Sequence, residues 1–558
     1  MKTLIKKLTQ QKNLTHSQLD ELKNSWSRLN FRSAPSTADV LKEYRQLVAV
    51  KKIKPSASLE AILQKRAVRT LSGVAIVTVL TKPWPCPGRC VYCPLESGMP
   101  KSYLKSEPAA QRAYFNKFNP YNQVISRLQM LYNNGHLTDK IELIVKGGSW
   151  SAYPWKYQVW FIKECFKACN DFRASLRGAK RRSNPVDYAP TRLLHSLRSL
   201  AMTQKKNETS AHRLIGLTLE TRPDLITHKT AEQMRVLGCT RVEIGIQHTD
   251  EKILSLTKRG HAIEDAKKAT TLLRCYGFKI DFHLMPQLPG STPAKDCKMF
   301  EKIFADSDLR PDMIKIYPCT VVKNSELYRW YKQGKFKPYS DKKLIEILVK
   351  VKSKIIPRYC RISRLIRDIP STEIVAGNKI TNLRQTIQEE MRARGLKCKC
   401  LRCREIGHQL HCYPDPALDT GEGSLGKIKL FIDKYSASGG VEYFLSFEDA
   451  RRRVVYAFCR LRLGARGLYP AFIRELHTYG HLMPLGQRSK KASQHHGLGK
   501  RLIAEAEKIA RQQGADTIAI ISGIGVRNYY KKLGYKLHKT YMVKKLPRRD
   551  RRGKNTSS

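Results

Sequence analysis

GVAIVTVLTKPWPCPGRCVYCPLESG, residues 73–98, runs from an apolar stretch straight into a loop of prolines, glycines and three cysteines. The stretch from Gly73 to Leu80 is rich in β-branched residues and too short to span a bilayer, so it reads as a buried strand. Cys86, Cys90 and Cys93 follow at C-x3-C-x2-C, which brings three thiolates to one point. A cubane iron-sulfur cluster with three protein thiolates keeps its fourth iron open to bind a substrate, and Tyr92, just before the last cysteine, is placed to pack over it. The alternative is a structural zinc site without its fourth ligand. Structural zinc favours four ligands and paired CxxC units, which this loop does not offer.

Working outward, similar apolar runs recur at KIELIVK (140–146), RLIGLTLE (213–220), RVEIGIQ (241–247), KIDFHLMP (279–286) and MIKIYP (313–318), each followed by room for a helix. Six strand and helix units in series predict an α/β fold with a partial (β/α)6 parallel barrel over residues 73–385. A barrel builds its site at the ends of its strands, where Gly147 with Gly148, Glu220 and Gln247 stand. Residues 1–72 show helical spacing, as in LTHSQLDELKNSWSRL, and a basic surface. The basic stretches RGAKRRSNPVDYAPTR (177–192) and TQKKNETSAHR (203–213) read equally as a solvated loop or an RNA contact.

From residue 413 to 558 a different α/β pattern takes over. KIKLFIDKY, VEYFLSFED and VVYAFCRLRL predict antiparallel strands, followed by RELHTYG, a helix opened by QHHGLG (494–499), the strand DTIAIIS and the segment NYYKKLGY. Backbone N–H groups at that helix start can cradle a pyrophosphate, with Gly497 and Gly499 allowing close approach. Between the two regions, residues 386–412 contain Cys398, Cys400 and Cys403 at C-x-C-x2-C, with His408, His411 and Cys412 following: a structural zinc clip whose fourth ligand is open, or three unligated thiols in a basic linker.

The chain has 558 residues, 104 Lys plus Arg against 47 Asp plus Glu, and a net charge of +57, which points to a polyanionic partner. The first residues carry no secretory apolar core, so a cytoplasmic protein is expected, with a weak transit peptide as the alternative. In that compartment the 15 cysteines argue for metal ligation and buried thiols, and against a disulfide framework.

The cysteine loop after the first strand resembles the radical S-adenosylmethionine superfamily, and QHHGLG between its strands resembles the GNAT acetyltransferase fold. RTLSGVAIVTVLTKPWPCPG, ETRPD, CTRVEIGIQ, LMPQLPG, RDIP, CREIG, RELHTYG and SGIGVRNYYKKLGY together resemble the Elongator catalytic-subunit family from about Arg69 to Lys544. The resemblance implies a radical-SAM barrel joined to a C-terminal GNAT fold with an N-terminal helical extension that binds tRNA. It implies a [4Fe-4S] cluster on Cys86, Cys90 and Cys93, and S-adenosylmethionine held by Gly147, Gly148, Glu220 and Gln247. Acetyl-CoA would be held by Lys140, Glu475, Leu476, His477, Thr478, Gln494, Gly497, Leu498, Gly499, Lys500 and Tyr530, with Tyr530 and Lys140 at the reacting thioester.

The implied reaction makes 5-carboxymethyluridine at the tRNA wobble position: a 5′-deoxyadenosyl radical takes hydrogen from the acetyl methyl, the carbon radical adds to uracil C5, and the thioester is hydrolysed. Its partners would be a tRNA anticodon stem-loop and an electron donor, with accessory subunits open. The chain departs from eukaryotic members in a shorter first cysteine gap. Two other readings compete: a protein lysine acetyltransferase with a structural cluster, for which Glu475 is the nearest base, and a catalytically silent tRNA-binding scaffold.

Overall fold

The structure, a computed structural model, describes residues 1–11, 14–65, 70, 72–173, 193–412, 428–464, 467–479 and 497–547, and the side chains of residues 57 and 410–412 are also left aside. Among the described residues no helix is long and apolar enough to cross a membrane.

The first sheet contains β1 (Ala75–Leu80), β2 (Lys140–Lys146), β3 (Arg213–Thr221), β4 (Arg241–Gln247), β5 (Lys279–Leu284), β6 (Met313–Ile316) and β8 (Arg361–Arg364). All seven lie in this order and pair in parallel, with β1 and β8 as the two edges, so the barrel is open on one side. The six expected strands are present. The seventh, β8, reads RISR and has one apolar residue, so no hydrophobic pattern marks it; pairing with β6 and the burial of Ile362 make it a strand. β7 (Val321–Val322) and β9 (Ile374–Ala376) form a separate antiparallel pair.

Alternation along the strands decides the layers. In β2, Ile141, Leu143 and Val145 are fully buried under the outer helices, while Lys140, Glu142, Ile144 and Lys146 face inward and are only half-buried. The covering helices start where their caps dictate: Thr227 and Thr292 accept from the third residue of His228–Val236 and Pro293–Ala305, and Asn119 does the same for Pro120–Asn133.

The second sheet has the order β10 (Lys429–Ala437), β11 (Gly440–Glu448), β12 (Val455–Leu463), β13 (Ala471–Thr478), β14 (Thr517–Ile520), β16 (Tyr541–Lys545) and β15 (Lys536–His538). Strands β10 to β13 are antiparallel, and the helix Leu498–Gln512 crosses over to make β14 parallel to β13. That parallel pairing covers only Ala471 to Ile473; β14 then ends and β13 runs on to Thr478, so the two strands diverge. Four N-terminal helices, Lys2–Gln10, His16–Leu29, Thr37–Ala49 and Ala57–Leu63, close a small core of their own around Ile5, Leu41, Tyr44 and Leu63. They dock on the barrel through Arg45, which donates to Tyr132 O at 2.5 Å.

The two sheets share one hydrophobic core, in which Phe444, Phe458, Phe472 and Tyr541 pack with the barrel helices. Buried ion pairs cross the same junction. Asp312, at the start of β6, accepts both Arg474 guanidinium nitrogens at 2.6 and 2.8 Å. Glu442 on β11 takes Arg274 at 3.0 Å, Arg474 at 3.1 Å and Arg462 at 3.2 Å. Arg460 donates to Glu475 at 2.8 Å and to Tyr359 O at 2.8 Å. Backbone approach is equally close: a Cβ on Gly523 would fall 1.9 Å from Ile215 O of β3, and one on Gly525 2.6 Å from the Arg213 Cβ.

Removing one member of a buried pair costs more than the pair contributes, because its partners are left charged and dry. Asp312→Ala is expected to destabilise the chain by roughly 3–5 kcal/mol, read as a lower midpoint in chemical denaturation. A wild-type midpoint would show that the pairs carry no stability.

Candidate functional site

The cysteine loop leaves β1 at the C-terminal mouth of the barrel and is fixed there by backbone contacts: Val91 N donates to Thr257 O at 3.2 Å, Leu327 N to Val91 O at 2.8 Å and Cys93 N to Cys90 O at 3.1 Å. Cys90 is buried, Cys93 lies beside it, and Cys86 Sγ is 3.7 Å from Ser149 Oγ. The Arg259 guanidinium sits 3.4 Å from Cys90 Sγ. A hydrogen bond from Cys93, joined by the Arg259 charge and working against burial, holds the Cys90 thiol well below the usual range. Gly88 is required by crowding, since a Cβ there would lie 2.3 Å from Arg222 Nη1.

Among the described residues, the groups of three ligand atoms gathered within 4.8 Å are Cys398, Cys400, Cys403 and Glu220, Glu243, His283. The first cysteine triad is not one of them. A wider triad on one loop suits a cluster whose sulfur ligands sit on different irons better than a single ion.

Against this loop lies a cavity of ≈ 230 Å³, lined by Cys86, Cys93, Gly148, Glu220 and Gln247 among others. Gly147 and Gly148 end β2 at φ +124° and +101°, where a Cβ on Gly147 would lie 2.0 Å from Thr81 Oγ1. Gln247 ends β4 in the left-handed region at φ 73°, and its buried Oε1 meets no donor. A strained strand end with an unanswered acceptor at a cavity wall fits a polar ligand bearing an N–H or O–H group. The four expected residues Gly147, Gly148, Glu220 and Gln247 therefore converge on one end of the barrel, as the strand ends foretell.

Below them the lumen is ionic, which the sequence reading did not single out. Lys146 meets Glu220 at 2.7 Å and Glu243 still more closely, Lys315 meets Glu243 at 2.5 Å, and His283 Nε2 lies 3.0 Å from Glu243. Against burial, Lys146, Lys315 and His283 hold Glu243 well below the usual carboxylate range. Glu142 pairs with Arg241 at 2.7 Å one layer further down. The signal was present as polar residues an even number of positions apart on apolar strands: Glu142 and Lys146, Arg241 and Glu243, Asp281 and His283.

Lys140, Arg241, Lys279 and Arg361 open their strands and so ring the opposite mouth. This mouth faces β13: Lys279 lies 3.9 Å from Glu475, and Arg361 is 3.3 Å from the Tyr479 hydroxyl. Burial pulls the Lys140 pKa below its usual value. His477 stacks on Phe458, its Nε2 is buried without a partner, and burial pushes its pKa down to about 4, so the ring is neutral. Lys279 and Arg460, against burial, hold Glu475 below the carboxylate range.

Gly497 caps the helix Leu498–Gln512 at φ 69°, and Lys500 on its first turn is exposed. A Cβ on Gly499 would meet the Tyr529 hydroxyl at 3.1 Å, Thr478 at 3.5 Å and Leu476 at 3.9 Å, so helix start, β13 and Tyr529 meet there. Tyr530 is buried beside Tyr535 in a further core, formed by the second sheet and the helix Leu498–Gln512, and Tyr529 is the more exposed of the pair. Gln494 lies outside the described residues.

Cys398, Cys400 and Cys403 share one point, with the buried Lys352 Nζ 3.7 Å from Cys403 Sγ. His408 is beside Glu405 at 3.8 Å, and burial, with the Arg402 charge, pushes its pKa down to about 3. A neutral imidazole is the form that binds metal. The side chains of His411 and Cys412 lie outside the described residues.

The model of the Radical SAM superfamily matches residues 189–302, that of the Radical_SAM C-terminal domain 311–393, and that of the Acetyltransferase (GNAT) family 489–535. The chain is 42% identical to the tRNA uridine(34) acetyltransferase of Methanocaldococcus infernus, over 97% of this chain and 98% of that protein. It is 34% identical to Elongator complex protein 3 of Homo sapiens, over 87% of this chain and 86% of that one. A solved structure of the archaeal Methanocaldococcus infernus Elp3, lacking residues 1–46, superimposes with a TM-score of 0.70 at 41% identity, covering 85% of this chain and 100% of that one. With a radical-SAM barrel, a GNAT fold and likeness along nearly its whole length, this chain belongs to the Elongator catalytic-subunit family.

Proposed function

We propose that this chain modifies uridine 34 of tRNA, building 5-carboxymethyluridine with carbon taken from acetyl-CoA. The observation that carries this reading is the barrel lumen, with the cysteine loop at one mouth and the acetyltransferase strand β13 at the other. The names of its relatives, tRNA uridine(34) acetyltransferases from two Methanocaldococcus species, support the substrate.

Cys86, Cys90 and Cys93 would hold a [4Fe-4S] cluster, and Gly147, Gly148, Glu220 and Gln247 would hold S-adenosylmethionine. When bound, the two supply a carbon-centred radical able to take hydrogen from an acetyl methyl. The glycine pair lets a ligand's ammonium reach backbone carbonyls, and Gln247 Oε1 is an acceptor waiting for a donor. Where β13 diverges from β14, its backbone from Glu475 to Thr478 can pair with a pantetheine arm, and Gly497 to Lys500 can take the pyrophosphate at the helix start. Lys140 and Tyr530 are assigned to the thioester, Tyr529 to the cradle beside Gly499.

Acetylating a lysine needs a base to deprotonate the amine. Glu475, the candidate on β13, is already held by Arg460 and Lys279, which weighs against the protein acetyltransferase reading. Reaction at the methyl needs no such base. The +57 charge suits an RNA backbone, with residues 1–72 as a tRNA-binding region and 386–412 as a structural zinc linker on Cys398, Cys400 and Cys403. A cytoplasmic setting and a one-electron donor complete the proposal.

Anaerobic reconstitution followed by tRNA, S-adenosylmethionine, reductant and acetyl-CoA is expected to give 5-carboxymethyluridine by mass spectrometry with wild type and none with Cys90→Ala. An intact cluster and bound CoA without modified uridine would favour the acetyltransferase or scaffold readings. Gly499→Val, which pushes a side chain into Tyr529 and Thr478, is expected to weaken CoA binding by roughly tenfold, about 1.4 kcal/mol, in calorimetry, with iron content unchanged. Wild-type affinity would remove Gly499 from the cradle. Metal analysis should find zinc besides iron, and Cys400→Ser should lower the zinc alone; equal zinc in both would exclude the linker site.

A further inference from the structure

Among the described residues, Arg259 reaches from outside the cysteine loop to the Cys90 sulfur, its Nη1 standing 3.4 Å away. It comes from the turn after the short helix Glu251–Leu256, not from any strand end, and it is buried. Its other bonds fix it rigidly: Nε donates to His261 Nε2 at 2.9 Å and Nη2 donates to Gly245 O, while its own carbonyl takes Arg222 Nη1 at 2.9 Å. Gly245 owes its lack of a side chain to this arrangement, since a Cβ there would lie 2.7 Å from Arg259 Nη2.

Buried Arg274, Arg460 and Arg474 meet carboxylates, while buried Arg235 rests on the Cys239 and Thr540 carbonyls. Among the described residues no carboxylate lies within salt-bridge distance of Arg259; its side chain meets a neutral imidazole, a carbonyl and a sulfur. His261 accepts from it and is kept neutral, burial and the Arg259 charge pushing its pKa down to about 4. The partner able to carry a balancing negative charge is the Cys90 sulfur. A buried cation without a carboxylate is costly unless an anion is present when the site is filled.

We infer that Arg259 tunes the reduction potential of the iron-sulfur cluster by donating a charge-assisted hydrogen bond to the Cys90 sulfur. The inference rests on the reading that Cys86, Cys90 and Cys93 hold that cluster. Reduction adds one negative charge, and a fixed cation bonded to a ligand sulfur in a low-dielectric site stabilises the reduced form, so the potential rises. Arg259 is thus a positioning and tuning residue for electron entry, with no contact to the uridine or the acetyl group required.

The test uses the full chain, anaerobically reconstituted. In wild type grown on 15N-arginine, pulsed EPR of the reduced cluster should show an arginine nitrogen coupling that Arg259→Lys removes. EPR-monitored redox titration should place the Arg259→Met midpoint more negative than wild type, and Arg259→Lys between them, at equal iron content. A reduced wild-type cluster without the nitrogen coupling overturns the inference, even if the Met variant holds no iron. So does a cluster-bearing Met or Lys variant at the wild-type midpoint. Wild type that yields no reduced cluster signal would instead overturn the cluster assignment itself.

Discussion

Asp312 and Glu442 are buried carboxylates, and a carboxylate stripped of water is tolerated only when cations surround it. Asp312 belongs to the barrel and its guanidiniums, Arg474 and Arg460, belong to the second sheet. Glu442 belongs to the second sheet and is met by Arg274 of the barrel as well as by its own neighbours. In these pairs the barrel does not satisfy Asp312 with its own arginines, and its buried Arg274 finds its carboxylate on the second sheet. The relative placement of the sheets follows, and with it the fact that β13 faces the lower mouth of the barrel.

That placement puts the two ends of the chain's chemistry at opposite mouths of one barrel. The upper mouth gathers cysteines, paired glycines and an unanswered amide oxygen; the lower mouth gathers lysines and arginines at strand starts. Between them, Lys146, Glu220, Glu243, His283 and Lys315 fill the lumen with mutually compensated charge. Such a filling keeps the interior polar without leaving a lone ion, which an apolar barrel core could not offer a charged or hydrogen-bonding substrate.

Much of this was legible in the chain. The six long strands announce themselves by apolar runs, and the first cysteine triad by spacing on the loop that follows one of them. Strand ends pointed to Gly147, Gly148, Glu220 and Gln247 because a parallel barrel puts all such ends at one mouth. β8 was hidden because RISR owes its conformation to pairing with β6 and not to its own pattern. Arg259 was hidden because its partner, Cys90, is 169 residues away in sequence and a turn arginine has no local mark. In the tyrosine pair the residues are adjacent, and only packing shows that Tyr530 is the more buried and that Tyr529 is the one whose hydroxyl lies against Gly499.

Gly523 and Gly525 press the backbone of the second fold onto β3 with no room for a methyl group. A surface that tolerates not one added carbon leaves no tolerance for a neighbour of different shape. Here the seam itself is part of both modules. A change in the backbone at Ile215 or Arg213 is therefore answerable to the loop opposite, because the seam has no slack to absorb it.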